Sequence, residues 1–177
     1  MLNLYLLRHA KSSRAKLFAR DIDRSLNDDG RRAAALMANN MAAKGISPQL
    51  VLCSPARRTR QTREVLSERL GEGARVLFED ALYGGGADGY LAPIKQHGEA
   101  AGGVLVVGHN PAIEELAGLL VDSGEAAARA AMAESFSAGA LAEIGFDLAA
   151  WSDIAPGSGS LAAFTRPGDL EPEGAPS

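Results

Sequence analysis

Short apolar runs that end in polar turns alternate along this chain with segments whose apolar positions recur at helical spacing. Leu4-Tyr5-Leu6-Leu7 is too short for a helical period and reads as a buried parallel strand that stops at Arg8 and His9. Asn27 to Lys44 reads as a helix. Asn27 suits its N-cap, Asp28 and Asp29 the positive end of its dipole, and Gly45 its stop, while Ala33, Leu36, Met37 and Met41 recur along one face. Leu50-Val51-Leu52-Cys53 is a second buried strand, and Ser54-Pro55 opens a second helix that carries Arg57, Arg58, Arg60 and Arg63 ahead of Val65, Leu66 and Leu70. Arg75 to Phe78 makes a third strand, followed by Glu79-Asp80, Leu82-Tyr83 and the flexible run Gly84-Gly85-Gly86. The next helix, Ala87 to about Ala101, has to accommodate Pro93 and Gly98. Gly103 to Val107 is uninterrupted and β-branched, as a central parallel strand should be, and it ends at Gly108-His109-Asn110-Pro111. Asn110 and Pro111 suit the start of a helix from Ala112 to Val121.

Beyond that point the grammar changes. An alanine-rich helix is expected from Glu125 to Glu134, then two strands, Ala140 to Phe146 and Ser160 to Arg166, at a sheet edge. Lys11 to Arg24 has no firm period and reads as a loop bordering the strand ends. The pattern predicts an α/β fold: a three-layer α/β/α sandwich with a mainly parallel sheet and one antiparallel strand near the edge. Residues 1–166 form one expected domain, and 167–177, rich in Pro, Gly and Glu, a disordered tail.

Composition narrows the class of function. At 177 residues and 46% hydrophobic the chain can bury a sizeable core but is short for two domains. A net charge of −4 argues against a general nucleic-acid binder or a basic membrane-surface protein. One cysteine, Cys53, allows neither a disulfide framework nor a thiolate metal site, and points to a reducing cytoplasm. No apolar run approaches the ~20 residues of a membrane span, and Arg8 cuts the apolar start short of a signal peptide.

The candidate chemistry lies at the strand ends. Parallel strands deliver their carboxyl ends to one edge of the sheet, so Arg8-His9, Ser54 and Gly108-His109 converge there. Two of the three histidines sit at such ends, whereas His97 lies in a polar stretch of helix and reads as a solvated bystander. A strand that simply ends in solvated residues is the alternative for Arg8-His9. Cys53 is not the nucleophile of a cysteine phosphatase, because the position where such a loop needs its arginine is Thr59, and Gly84 to Gly86 lacks the Lys-Ser/Thr of a nucleotide-binding loop.

Arg8-His9-Ala10, Ser54-Pro55-Ala56-Arg57-Arg58-Thr59-Arg60-Gln61-Thr62 and Gly108-His109-Asn110-Pro111, in this order and each on a strand end, resemble the histidine phosphatase superfamily, also called phosphoglycerate mutase-like. The Arg8 to Ser13 start and the Asp23-Arg24-Ser25-Leu26-Asn27 to Gly30 segment look like its SixA-type phosphohistidine phosphatases, and the resemblance spans roughly residues 2 to 166. It implies that His9 accepts the phosphoryl group and that Arg8, Arg58 and His109 complete the phosphate pocket, with a protonated His109 adding charge; no metal or cofactor is implied. Arg57, Arg60 and Arg63 then read as solvated helix positions. Asp80, three residues before Tyr83, matches the general acid of the mutase branch, with Glu79 second. SixA-type members often lack that acid, since a leaving imidazole can depart protonated, and Asp80 as a plain turn residue is the alternative. The implied activity is a metal-independent phosphatase whose leading substrate is a phosphohistidine-bearing protein. Small phosphoesters, or a non-catalytic phospho-ligand binding module, are the alternatives, and a mutase is disfavoured because no long capping insertion separates the strands.

Overall fold

The computed structural model describes residues 1–14, 20–71 and 73–171. Their strands form one seven-stranded sheet in the order β3-β2-β4-β1-β6-β7-β5. The strands are β1 (Leu2–Arg8), β2 (Leu50–Cys53), β3 (Arg75–Phe78), β4 (Gly103–Gly108), β5 (Val121–Gly124), β6 (Leu141–Phe146) and β7 (Gly159–Thr165). Only β6 opposes its neighbours; β1 to β4 run parallel, as does the β5 and β7 pair. Because β1 and β4 are paired on both edges and covered on both faces, their near-continuous apolar sequence is what the position demands. Alternate side chains serve opposite layers. Leu4, Leu6, Val104 and Val106 enter one core, and Leu7, Leu105 and Val107 enter the other.

The first core is closed by α4 (Gly86–His97), α5 (Ala112–Leu120) and α6 (Ala126–Glu134), the second by α1 (Asp28–Ala43) and α2 (Arg57–Leu70), which completes the three layers. The predicted cap of α1 is formed: the Gly30 N–H donates to Asn27 Oδ1 at 2.8 Å. Gly30 is required for a second reason, since a Cβ there would run into the Lys11 carbonyl, so the helix start can press against the chain that follows His9.

Several expectations are corrected. The expected antiparallel strand is β6, third from one end of the sheet between β1 and β7, but the outermost place beyond β7 belongs to β5, whose Val121 had been expected to end a helix. This edge strand is polar and irregular, with a register shift between Val121 and Ser123, so it carries no strand period. Gly84 to Gly86 is no flexible turn but the junction between a short helix α3 (Ala81–Gly84) and α4. There the Gly85 N–H donates to the Ala81 carbonyl at 2.8 Å, and a Cβ on Gly85 would crowd that oxygen. The second helix starts at Arg57, two residues beyond Pro55, and α4 holds Pro93 but ends at His97. Pro167–Leu170, part of the expected tail, forms a 3-10 turn in which Asp169 accepts from the Arg166 N–H and Leu170 packs on the α1 side; residues 172–177 lie outside the described residues. Residues 15–19 of the expected loop also lie outside them.

Candidate active site

Register places the two histidines side by side. Arg8 pairs with Gly108 at the ends of β1 and β4, and the His9 N–H donates to the Gly108 carbonyl at 2.9 Å. The two imidazoles, one residue further on, meet edge to face with centroids 5.1 Å apart. Gly108 has no Cβ because the Tyr90 ring occupies that space; the Tyr90 hydroxyl accepts from the His109 N–H at 2.9 Å and donates to the Leu82 carbonyl at 2.6 Å.

Arg58, only 6% exposed, spans the group from the first turn of α2. Its Nε donates to His9 Nε2 and its Nη2 to His109 Nδ1, both at 3.3 Å. Its outer edge donates to Asp21, through Nη1 to the backbone oxygen at 2.8 Å and through Nη2 to Oδ2 at 3.0 Å.

These partners fix both tautomers. His9 Nδ1 lies 2.7 Å from the Ala10 carbonyl, an acceptor only, so Nδ1 carries the proton and the Nε2 lone pair faces Arg58. The Ala10 N–H is itself held by Thr62 Oγ1 at 3.2 Å, which ties this carbonyl to α2. His109 takes the opposite form: Nδ1 accepts from Arg58 and Nε2–H donates to Ser54 Oγ at 2.8 Å. Burial, with Arg58 and Arg8 adding repulsion, pushes the His9 pKa down to about 4. Burial, then His9 and Arg58, push that of His109 down to about 3. Both rings are therefore neutral at neutral pH.

Arg8 Nη1 donates to the Phe136 carbonyl at 2.9 Å, while its Nε is buried without a partner among the described residues. Asn110, expected to cap α5, instead donates to Glu114 and to the same Phe136 carbonyl, and its Oδ1 is likewise buried and unpartnered. These groups open on a pocket of about 350 Å³ whose lining, among the described residues, includes the cationic Arg8, Lys11, Arg24 and Arg58 and no carboxylate. A larger hollow of about 410 Å³, between α2 and the starts of β2 and β3, contains none of this chemistry.

His9, Arg8, Arg58 and His109 are thus brought together, and Asp80 is not. Asp80 is exposed where α3 begins and makes no capping bond, and Glu79 pairs with His97 at 3.2 Å, away from the pocket. The carboxylate at the site is Asp21, which sequence reasoning missed. It lies in an aperiodic segment, pairs locally with Arg24 three residues on, and meets Tyr83 and Arg58 only through folding. Its carboxyl is held down at about 2, first by the Arg24 hydrogen bond and also by those from Tyr83 and Arg58. Cys53 is fully buried as expected, and its thiol is pushed up to about 12 by desolvation. Among the described residues no group of three His, Cys, Asp or Glu side chains stands close enough to hold a metal ion, and no helix is long and apolar enough to cross a membrane.

The sequence pattern of the histidine phosphatase superfamily (branch 1) matches residues 4–83. A provisionally named phosphohistidine phosphatase SixA from Nakamurella multipartitia superposes with a TM-score of 0.82 at 34% identity, over 94% of this chain and 96% of that one. Its counterpart from Agrobacterium tumefaciens gives 0.78 at 29% identity, over 93% and 97%. An uncharacterized protein of Mycobacterium tuberculosis is 32% identical over 163 residues, 91% of this chain and 99% of its own. The chain belongs to the histidine phosphatase superfamily, and within it to the SixA type.

Proposed function

We propose that this protein dephosphorylates phosphohistidine on a protein, without a metal, through a covalent adduct on His9. The observation that carries the reading is the His9 ring itself: neutral, its proton fixed on Nδ1 by Ala10, and its Nε2 lone pair turned to the guanidinium of Arg58. In the first step Nε2 forms a bond to phosphorus while the bond from phosphorus to the leaving nitrogen breaks, its electron pair staying with the leaving imidazole. The adduct is then an imidazole phosphorylated on Nε2 and protonated on Nδ1, the electron-poor form that water can attack. Water displaces it, His9 recovers its lone pair, and inorganic phosphate departs with the proton that water loses. Arg8 and Arg58 hold the phosphoryl oxygens, the unpartnered Nε of Arg8 being a donor ready for one of them.

The composition of the pocket supports an imidazole as the leaving group. Among the described residues the pocket has no carboxylic acid to protonate an alkoxide, and both histidines are neutral. A phosphohistidine needs no such acid, because its ring can bring its own proton. A single thiol, buried in the core, fits a cytoplasmic setting.

The test is phosphate release by wild type and His9→Ala, in chelator, from a phosphohistidine-bearing carrier protein and separately from an aryl phosphate. The reading expects wild-type release that favours the carrier, is indifferent to chelator and is absent in the variant. Preference for the aryl phosphate would point to small phosphoesters, and binding of phosphate without release to a non-catalytic module.

A further inference from the structure

Asp21 is a carboxylate placed where a phosphate-binding site should not want one. It stands in a 3-10 turn (Asp21–Asp23), half exposed, on the outer side of Arg58. Oδ2 accepts from Arg58 Nη2 and from the Tyr83 hydroxyl, both at 3.0 Å, and Oδ1 from Arg24 Nη1 at 2.9 Å. Arg24 and Arg58 both line the pocket, and the Tyr83 ring stands edge-on to His109 at 5.6 Å, so the carboxylate sits in the rim rather than on a remote surface. Three donors hold it in the ionised form, so it is a fixed negative charge and not a proton donor.

A fixed anion there weakens the pocket for phosphate by partly neutralising Arg58, and this has a use only if it serves the other half of the substrate. Resting on the reading given under Proposed function, we propose that Asp21 is a specificity-determining residue that selects phosphoramidates with a protonated imidazole over phosphate monoesters. Its carboxylate attracts the N–H of the substrate ring and keeps that ring in the cationic, reactive form. When the P–N bond breaks, the electron pair stays on the nitrogen that held phosphorus, the proton stays on the other nitrogen, and a neutral imidazole leaves. A monoester leaves as an anionic oxygen, and the same carboxylate opposes the charge growing there.

The experiment compares kcat/KM for N-phosphoimidazole and for para-nitrophenyl phosphate, at pH 7.5, in wild type, Asp21→Asn, Asp21→Glu and Tyr83→Phe. Asp21→Asn should lose roughly tenfold on phosphoimidazole, the scale of one nearby charge. On the aryl phosphate it should stay level or gain. Asp21→Glu, which keeps the charge, and Tyr83→Phe, which keeps the carboxylate, should hold the wild-type ratio. Equal losses on both substrates in Asp21→Asn would reduce Asp21 to an orienting partner of Arg58 and overturn the inference alone. A wild type that cleaves the aryl phosphate but not phosphoimidazole would instead overturn the functional reading.

Discussion

His9 Nδ1 lies 2.7 Å from the carbonyl oxygen of Ala10, its own neighbour in the chain. That contact raises the affinity of the ring for a proton, yet burial and the guanidiniums of Arg58 and Arg8 prevail, and the pKa falls to about 4. His109 falls to about 3. Both lie below the ordinary 6.5, so in the interval the unfolded chain binds protons that the folded chain refuses. Their contribution to stability is therefore complete above about pH 6.5 and is lost as the pH falls through 4 and then 3. Urea unfolding should show a lower midpoint at pH 5 than at pH 7, with the difference reduced in a His9→Gln, His109→Gln double variant. In NMR titrations of the ligand-free protein both rings should titrate below pH 5, and inorganic phosphate should move both midpoints upward; a midpoint near 6.5 for either would refute the electrostatic description.

Tyr90 holds His109 from behind. Its hydroxyl accepts from the His109 N–H and donates to the Leu82 carbonyl, and all of these groups are buried. Tyr90→Phe keeps the ring and strands both partners, at a cost of about 1–3 kcal/mol in stability. Denaturant unfolding should register that loss, and kcat should drop while KM for an aryl phosphate changes little. Gly108→Ala should be worse on both counts, since its methyl group collides with the Tyr90 ring.

Asp80 and Asp21 mark the limit of what one sequence reveals. The strand ends are legible because each apolar run stops abruptly, and parallel pairing then forces His9, Ser54 and His109 to one edge whatever the loops do. The resemblance to the mutase branch pointed to Asp80, three residues before Tyr83, but the backbone is already helical at that residue, and it is the tyrosine that reaches the site, against His109 and through Asp21. Asp21, Phe136 and the Tyr90 hydroxyl act through contacts between segments far apart in the chain, which no local period encodes. The β5 edge was illegible for a related reason: a polar strand paired on one side needs no apolar alternation.

The same geometry predicts a null result. Asp80→Asn should leave kcat/KM for both the phosphohistidine carrier and the aryl phosphate within about twofold of wild type, as expected for an exposed position that touches no reacting group. A loss of a hundredfold on the aryl phosphate alone would restore Asp80 as a general acid for oxygen leaving groups.

Arg58 is the sharpest test of the pocket, because four other arginines lie on the same helix. A planar guanidinium reaches His9 and His109 with two of its nitrogens and leaves its outer edge to Asp21. The single ammonium of lysine cannot satisfy both directions, so Arg58→Lys should lower kcat/KM by about 100-fold or more while the charge is unchanged. Arg57 is exposed and Arg60 stacks on Phe78 at 4.5 Å, so Arg57→Lys and Arg60→Lys should stay within about twofold in the same assay. Equal losses at all three positions would mean that α2 supplies a diffuse positive field. A loss confined to Arg58 would mean that the site depends on the directions of its donors.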